Sequence, residues 1–383
     1  MKMSSIKLAL IRQKYRPDGG AEKFLSRAID ALKEDIELTI ITRNWQKQPG
    51  VNVINCNPSK WGRVSRERGF AKAVCTEIEN NSFDLVQSHE RIPCCDIYRA
   101  GDGLHREWLK QRSRIISPIS RLASALSPFH RYMLKAEERL FSSDRLKTII
   151  CNSKMVADEI AHHFPKAAQK TEVIYSAIDF NTYNPDLRKH RSEIRNKLGI
   201  TDLETVFLFV GSGFERKGVA SAIKGISGVE NARLLIIGKD KNLQKYKKIA
   251  ENLNASSKVI FMGMQKNPLP FYGSADAFIF PTLYDPFPNV TIEALACGLP
   301  VITSTKCGAA EILDHGKDGF ICDALDSESI RKYMEKLKDS SLQLQMSDCA
   351  LKKAEMFSTE RMTKQLLEVY GRLLRTKTNL IQE

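Results

Sequence analysis

The residues whose types and spacing most clearly suit chemistry lie in Pro281-Thr282-Leu283-Tyr284-Asp285-Pro286-Phe287-Pro288-Asn289-Val290-Thr291-Ile292-Glu293-Ala294-Leu295-Ala296-Cys297-Gly298-Leu299-Pro300. A helix that starts around Pro288 to Val290 and closes at Gly298, with Pro300 beyond it, leaves Asp285 in the preceding loop and puts Glu293 inside the helix. The helix N-terminus between them, at Asn289 and Val290, presents N–H groups and the positive dipole end to an anion. An ordinary loop cap and a surface glutamate would use the same residue types. However, Glu293 sits between Ile292 and Ala294 in a largely apolar stretch, where a carboxylate without a partner is costly.

A second group is Phe207-Leu208-Phe209-Val210-Gly211-Ser212-Gly213-Phe214-Glu215-Arg216-Lys217-Gly218, an apolar strand running into a glycine loop and then two adjacent cations. Parallel sheets bind ligands at the carboxyl ends of their strands, and a guanidinium beside an ammonium suits a pyrophosphate. The competing reading is a solvated basic turn. A third group, Arg16-Pro17-Asp18-Gly19-Gly20-Ala21-Glu22, lies between the first apolar strand and a helical pattern with Phe24, Leu25, Ala28 and Leu32 on one side. Paired glycines there let the backbone approach a ligand closely, although an ordinary strand-to-helix turn would look the same.

The elements that must carry these groups alternate almost from end to end. Strand signals run over Lys7–Ile11, Glu37–Ile41, Asn52–Asn55, Phe83–Gln87, Ile97–Ala100 and Thr148–Cys151. They resume over Thr205–Val210, Arg233–Ile237, Lys258–Met262, Ala277–Phe280 and Val301–Thr303, with helix-length segments between. This is the pattern of α/β domains with doubly wound parallel sheets. A chain of 383 residues exceeds the usual reach of one core, so two such domains are expected. The boundary falls near Lys170 to Pro185, giving a first domain over 1–172 and a second over 173–357. The segment 358–383 has Met362, Leu366, Val369, Tyr370 and Leu373 at helical spacing and is expected to pack back on the first domain.

The net charge is +14, which favours an anionic partner such as a phosphorylated substrate, nucleic acid or acidic lipid. No apolar run approaches the ~20 residues that span a bilayer, and the N-terminus reads as a buried strand rather than a signal peptide, so a cytoplasmic protein is expected. The nine cysteines lack paired zinc-site spacings and are expected to be reduced, mostly buried thiols.

The Gly211-to-Gly218 loop, the Asp285-x7-Glu293 pair with its Pro-Phe-Pro-Asn-Val core, and the Gly298-Leu299-Pro300-Val301-Ile302 exit resemble the family-4 retaining glycosyltransferases, most specifically over Thr205 to Ile312. Within that family the Gly211–Gly218 loop and Thr305-Lys306-Cys307-Gly308 are most similar to the lipopolysaccharide core glucosyltransferases. The resemblance implies the GT-B fold, two Rossmann-like domains facing a cleft, with the first binding the acceptor and the second the nucleotide-sugar donor. It implies that Arg216, Lys217 and the backbone amides near Asn289 and Val290 hold the donor diphosphate, that Glu293 binds the ribose, and that Asp285 contacts the sugar hydroxyls. It places Gly19 and Gly20 on the phosphate side. In Ala100-Gly101-Asp102-Gly103-Leu104-His105 it matches Asp102 to the acid near the reacting sugar, in a region where many members have a histidine, here His105. Asp285 departs from the family's usual glutamate by one methylene. No Asp-x-Asp triplet is present, so no metal or other cofactor is expected, and the leaving diphosphate would be neutralised by Arg216, Lys217 and the helix dipole.

The resemblance implies transfer of a hexose, glucose from UDP-glucose first, to a membrane-anchored saccharide such as a lipopolysaccharide inner core. Another lipid or a soluble glycan is the neighbouring alternative. A nucleic-acid-binding protein would need a recognised basic and aromatic motif, and none is found, so no nucleic acid is expected as partner. His105 to Lys135 mixes Arg106, Lys110, Arg112, Arg114, Arg121, Arg131 and Lys135 with Trp108, Ile115, Ile116, Ile119, Leu122, Leu126, Phe129 and Tyr132. Such a mixture suits an anionic membrane surface and implies a peripheral position on the inner face of the cytoplasmic membrane. A helical insertion docked on its own domain is the other reading, and Pro118 and Pro128 predict helical pieces rather than one helix.

Overall fold

The computed structural model describes residues 6–13, 36–44 and 52–382. The chain divides into two compact units: Met1–Ser176 together with Glu360–Glu383, and Ala177–Thr359. The first division falls after Ser176 rather than after residue 172, because the extended stretch beyond the last strand stays with unit 1. There Arg99 donates to Ser176 Oγ at 3.4 Å.

Unit 1 holds a seven-stranded sheet, β1 (Ile6–Ile11), β2 (Ile36–Thr42), β3 (Asn52–Asn55), β4 (Leu85–Ser88), β5 (Ile97–Arg99), β6 (Thr148–Cys151) and β7 (Thr171–Val173). Their order is β3-β2-β1-β4-β5-β6-β7, with every neighbouring pair parallel. Central strands of parallel sheets are covered on both faces and so read as unbroken apolar runs. Leu8 to Ile11 and Leu85 to Ser88 are accordingly all buried. The closing helix Thr359–Gln382 buries Met362, Leu366, Val369 and Tyr370, and Tyr370 Oη donates to Gln87 Oε1 at 2.7 Å.

Unit 2 holds a six-stranded sheet, β8 (Thr205–Val210), β9 (Ala232–Ile237), β10 (Val259–Gly263), β11 (Ala277–Phe280), β12 (Val301–Ser304) and β13 (Gly319–Cys322), in the order β10-β9-β8-β11-β12-β13. These pairs are parallel too. No strand signal in the sequence pointed to β13. It is a four-residue edge strand beginning at Gly319, where a Cβ would lie 2.4 Å from the Val301 carbonyl oxygen, so glycine is required for the pairing.

Both sheets use the same device at the strand pair where the order reverses. Asp84, before β4, accepts from Lys7 N at 2.8 Å and returns its own N–H to the Lys7 carbonyl at 2.9 Å. In unit 2, Asp276 accepts from Val206 N at 2.7 Å and donates back to the Val206 carbonyl at 2.8 Å. An aspartate just ahead of a strand thus satisfies an orphan amide of its neighbour and fixes register. In unit 2 the aspartate is also salt-bridged: Arg195, 1% exposed, meets Asp276 at 2.5 Å, and Arg191 meets it at 2.7 Å.

The cysteines depart from expectation at one place. Cys75, on the helix Gly62–Asn80, is disulfide-bonded to Cys94 in the loop after β4. Their positions, 19 residues apart on elements whose contact only the fold creates, carry no pairing signal in the sequence. Among the described residues no helix is long and apolar enough to cross a membrane.

Candidate functional site

In unit 2 the site is built where β8 and β11 lie side by side and the sheet order reverses, the usual ligand position in an open parallel sheet. β8 runs into Gly211-Ser212-Gly213 and then a single helical turn, Phe214–Lys217. Gly218 closes that turn at φ 78°, and a Cβ there would sit 1.8 Å from the Pro281 carbonyl oxygen. Glycine therefore lets the Arg-Lys turn lie directly on the end of β11. The carbonyl of Arg216 anchors it further, accepting from Leu283 N and from Thr282 Oγ1, both at 2.8 Å.

Lys217 ends up with its Nζ ion-paired to Asp285 Oδ2 and 4.9 Å from the centre of the Phe280 ring. Both members of the pair are mostly buried. Burial pulls the Lys217 ammonium below its usual range, against the opposing pull of Asp285. Asp285 is itself fixed through its backbone: its N–H donates to the Lys306 carbonyl at 3.0 Å, and its carbonyl accepts from Gly308 N at 2.8 Å. Thus the segment Thr305-Lys306-Cys307-Gly308 aligns the loop that carries the acid. Cys307 is buried among these groups, and its thiol is pushed up to about 12 by burial and by Asp285.

The helix Asn289–Ala296 comes next, with Pro288 capping it and the chain turning back at Gly298, φ 73°. Asn289 and Val290 occupy its first turn and are half-buried, leaving early N–H groups at that end as every helix start does. Glu293 is 4% exposed and accepts a hydrogen bond of 2.9 Å from the Tyr272 hydroxyl. Tyr272 is held by stacking on Phe278, centroids 6.2 Å apart, and by edge contact with Tyr183 at 5.5 Å. Burial and the adjacent Glu293 raise its hydroxyl well above the ordinary tyrosine range, so it stays a donor. Sequence reasoning missed Tyr272. It lies in the short helix Leu269–Ser274, and only the fold reveals that it reaches the helix carrying Glu293.

In unit 1, Gly19 and Gly20 lie outside the described residues. Asp102 is in the turn after β5, between Gly101 and Gly103. Its side chain is 57% exposed and lies 3.9 Å from Arg12 Nη1. The turn is braced from behind: Arg91 donates to the Gly103 carbonyl at 2.7 Å and pairs with the fully buried Glu137 at 3.1 Å. His105, by contrast, is turned inward. Its backbone N–H donates to Glu137, and its Nε2 lies 2.9 Å from His130 Nδ1. Burial, helped by Arg91 and His130, drives its imidazole down to about 3, so it is neutral near pH 7. The turn thus leaves Asp102 exposed, with the half-buried His105 beside His130.

The basic stretch forms three helices, His105–Ser113, Pro118–Leu126 and Pro128–Phe141. Pro118 and Pro128 begin the second and third, where the missing N–H costs nothing. The second helix buries no residue, and Ile119, Leu122 and Leu126, at i, i+3 and i+7, are 83%, 63% and 63% exposed. The first and third are docked through Glu107, Gln111, Tyr132, Ala136 and Leu140.

The sequence matches the family Glycosyltransferase Family 4 over residues 18–182 and Glycosyl transferases group 1 over residues 190–354. The lipopolysaccharide glucosyltransferase WaaG of Escherichia coli is 24% identical over 355 residues, covering 90% of this chain and 92% of WaaG. The spore coat protein SA of Bacillus subtilis is 25% identical over 399 residues, covering 95% and 99%. The crystal structure of WaaG superposes with a TM-score of 0.80 at 20% identity, covering 94% of this chain and 99% of that one. That of Anabaena Alr3699/HepE in complex with UDP-glucose superposes with a TM-score of 0.75 at 18% identity, covering 96% and 100%. The chain therefore belongs to the group 1 and family 4 glycosyltransferases and has their GT-B fold.

Proposed function

We propose that this glycosyltransferase moves a hexose from a nucleotide diphosphate sugar, UDP-glucose first, to a membrane-anchored saccharide such as a lipopolysaccharide inner core. The observation that carries the reading is the buried Lys217–Asp285 pair at the ends of β8 and β11, with the helix that starts at Asn289 and buries Glu293 next in the chain. In this reading unit 2 takes the donor. Arg216, Lys217 and the amides at Asn289 and Val290 bind the diphosphate, Glu293 the ribose, and Asp285 the sugar hydroxyls. Unit 1 takes the acceptor, while its Gly19 and Gly20 line the phosphate side and its Asp102 lies near the reacting sugar. The bond from the sugar C1 to the diphosphate oxygen breaks and a bond from C1 to the acceptor oxygen forms on the same face. The acceptor proton passes to the leaving phosphate. Two cations and a helix N-terminus supply the positive charge this departure needs, so no divalent cation is required. The names of WaaG, a lipopolysaccharide glucosyltransferase, and of HepE, solved with UDP-glucose, support the choice of donor and acceptor class.

The experiment is a donor screen that monitors UDP or GDP release with and without lipopolysaccharide core acceptors, in EDTA throughout. Release from UDP-glucose that rises with acceptor is expected. Release only after magnesium or manganese is restored would overturn the metal-independent part.

We infer further that the helix Pro118–Leu126 meets an anionic bilayer on the cytoplasmic side, since it sets Ile119, Leu122 and Leu126 outward and carries Arg121, with Arg112 and Arg114 shortly before it in the chain. Each cation near such a surface contributes about 1 kcal/mol, less at high salt. Replacing all three arginines with glutamine should abolish cosedimentation with phosphatidylglycerol vesicles at low salt while UDP binding persists. Cosedimentation equal to the parent's, or none by the parent, would make the helix a structural insertion.

A further inference from the structure

A carboxylate buried inside a helix, as Glu293 is, needs donors aimed at it from neighbouring elements. Tyr272, 1% exposed, is one of them and gives its hydroxyl to Glu293 Oε2 at 2.9 Å. A phenol adds a hydrogen bond without adding a positive charge, so the carboxylate it holds keeps its strength as an acceptor. Ribose hydroxyls are donors that such an acceptor suits.

The place of the phenol is set entirely within unit 2. Its ring stacks on Phe278 with the planes 11° apart, and Tyr183 meets it edge-on at 85°. The next residue, Gly273, passes so close to the segment Pro185–His190 that a Cβ would lie 1.8 Å from the Leu187 carbonyl oxygen. Glycine thus lets the short helix Leu269–Ser274 seat on that segment and fixes where Tyr272 stands. The same stretch of chain also reaches the helix of Glu293, where the Asn184 N–H meets the Cys297 thiol one turn beyond the glutamate. Burial and Glu293 push that thiol up, so it stays protonated. From Phe278 the rings continue to Phe280, on the same face of β11 with centroids 6.1 Å apart, and Lys217 Nζ lies 4.9 Å from the centre of the second ring. One row of packed rings therefore connects the hydroxyl that holds Glu293 with the Lys217 ammonium.

Resting on the reading of Glu293 as the acid that binds the ribose, we propose that Tyr272 is a positioning residue for nucleotide recognition, its hydroxyl orienting the Glu293 carboxylate for the ribose in register with Lys217. In this role the tyrosine acts through Glu293 and touches no nucleotide itself. Burial and Glu293 keep the phenol protonated, so the bond persists across the neutral range.

The test measures Kd for UDP and for its dideoxyribose analogue with the parent, Tyr272→Phe, Glu293→Gln and the double variant. The parent should prefer UDP by about tenfold or more, the worth of a hydrogen bond to a charged acceptor. Tyr272→Phe keeps the ring and its stacking but frees the carboxylate to turn. Its preference should fall to within about threefold, through weaker binding of UDP with the dideoxy nucleotide held as before. Glu293→Gln should lose the preference as well, and Tyr272→Phe should remove nothing further in that background. A merely structural tyrosine would weaken both nucleotides alike. An unchanged preference in Tyr272→Phe, or an equal effect of Tyr272→Phe with and without Glu293→Gln, therefore overturns the proposal. A second measurement does not depend on how well Tyr272→Phe folds. In protein labelled with carbon-13 at the tyrosine ζ-carbon, the Tyr272 resonance, identified by its displacement in Glu293→Gln, should shift when UDP is added and stay in place with the dideoxy nucleotide. A resonance that ignores UDP, or that answers both nucleotides equally, overturns the proposal. Failure of the ribose reading itself is seen separately, as a parent that binds the two nucleotides equally.

Discussion

Replacing Lys217 with methionine should lower turnover by about 10² to 10³, the usual loss when a preorganised group facing developing negative charge is removed. Lys217 and Asp285 are buried together, so removing either leaves the other as a buried charge. Each single variant should then lose stability as well as activity, whereas replacing both by apolar residues of similar volume should restore much of the stability. Turnover should stay at the floor in the double variant. That split separates a charge needed for chemistry from a pair needed for folding. A double variant that recovers both stability and rate would make the pair structural, and a Lys217→Met enzyme within tenfold of the parent would do the same.

The largest stability effect is expected away from the chemistry, at Asp276. This carboxylate receives Val206 N, Arg191 and Arg195, and the Arg195 guanidinium also donates to the carbonyls of Ser274, Thr201 and Glu204 at 3.1, 3.2 and 3.0 Å. Asp276→Ala would strand a guanidinium that is 1% exposed and orphan a strand amide. Breaking a buried pair from one side costs about 3–5 kcal/mol. Urea unfolding monitored at unit 2 should show a loss of that size, and a loss below about 1 kcal/mol would mean that water reaches the network and replaces the carboxylate.

Much of the fold was legible in the sequence because parallel strands are written as short apolar runs and helix ends as proline and glycine. Thr205–Val210 and Ala277–Phe280 fall where those signals put them, and the helix at Asn289 begins and ends on its Pro288 and Gly298. The burial of Glu293 was legible from its apolar neighbours. Partners across the fold were not legible. Tyr272 reaches Glu293 from 21 residues away, Lys217 finds Asp285 across 68, and Arg12 meets Glu90 only because β1 and β4 are neighbours. Nothing local in the sequence encodes such contacts. The Cys75–Cys94 bond and the edge strand β13 escaped for the same reason, since each depends on elements brought together by topology.

The central claim is that unit 2 holds a nucleotide through Glu293 and the neighbouring cations, and the melting temperature with and without UDP tests it most directly. A ligand that binds only the folded state at about 100 times its Kd stabilises by about 2.7 kcal/mol, enough to move a melting transition by several degrees. The parent should show that rise. Glu293→Gln, which keeps the shape and a hydrogen-bond acceptor for Tyr272 but removes the charge, should lose most of it. A parent that does not respond to UDP, or a Glu293→Gln protein that responds as fully as the parent, would contradict the account.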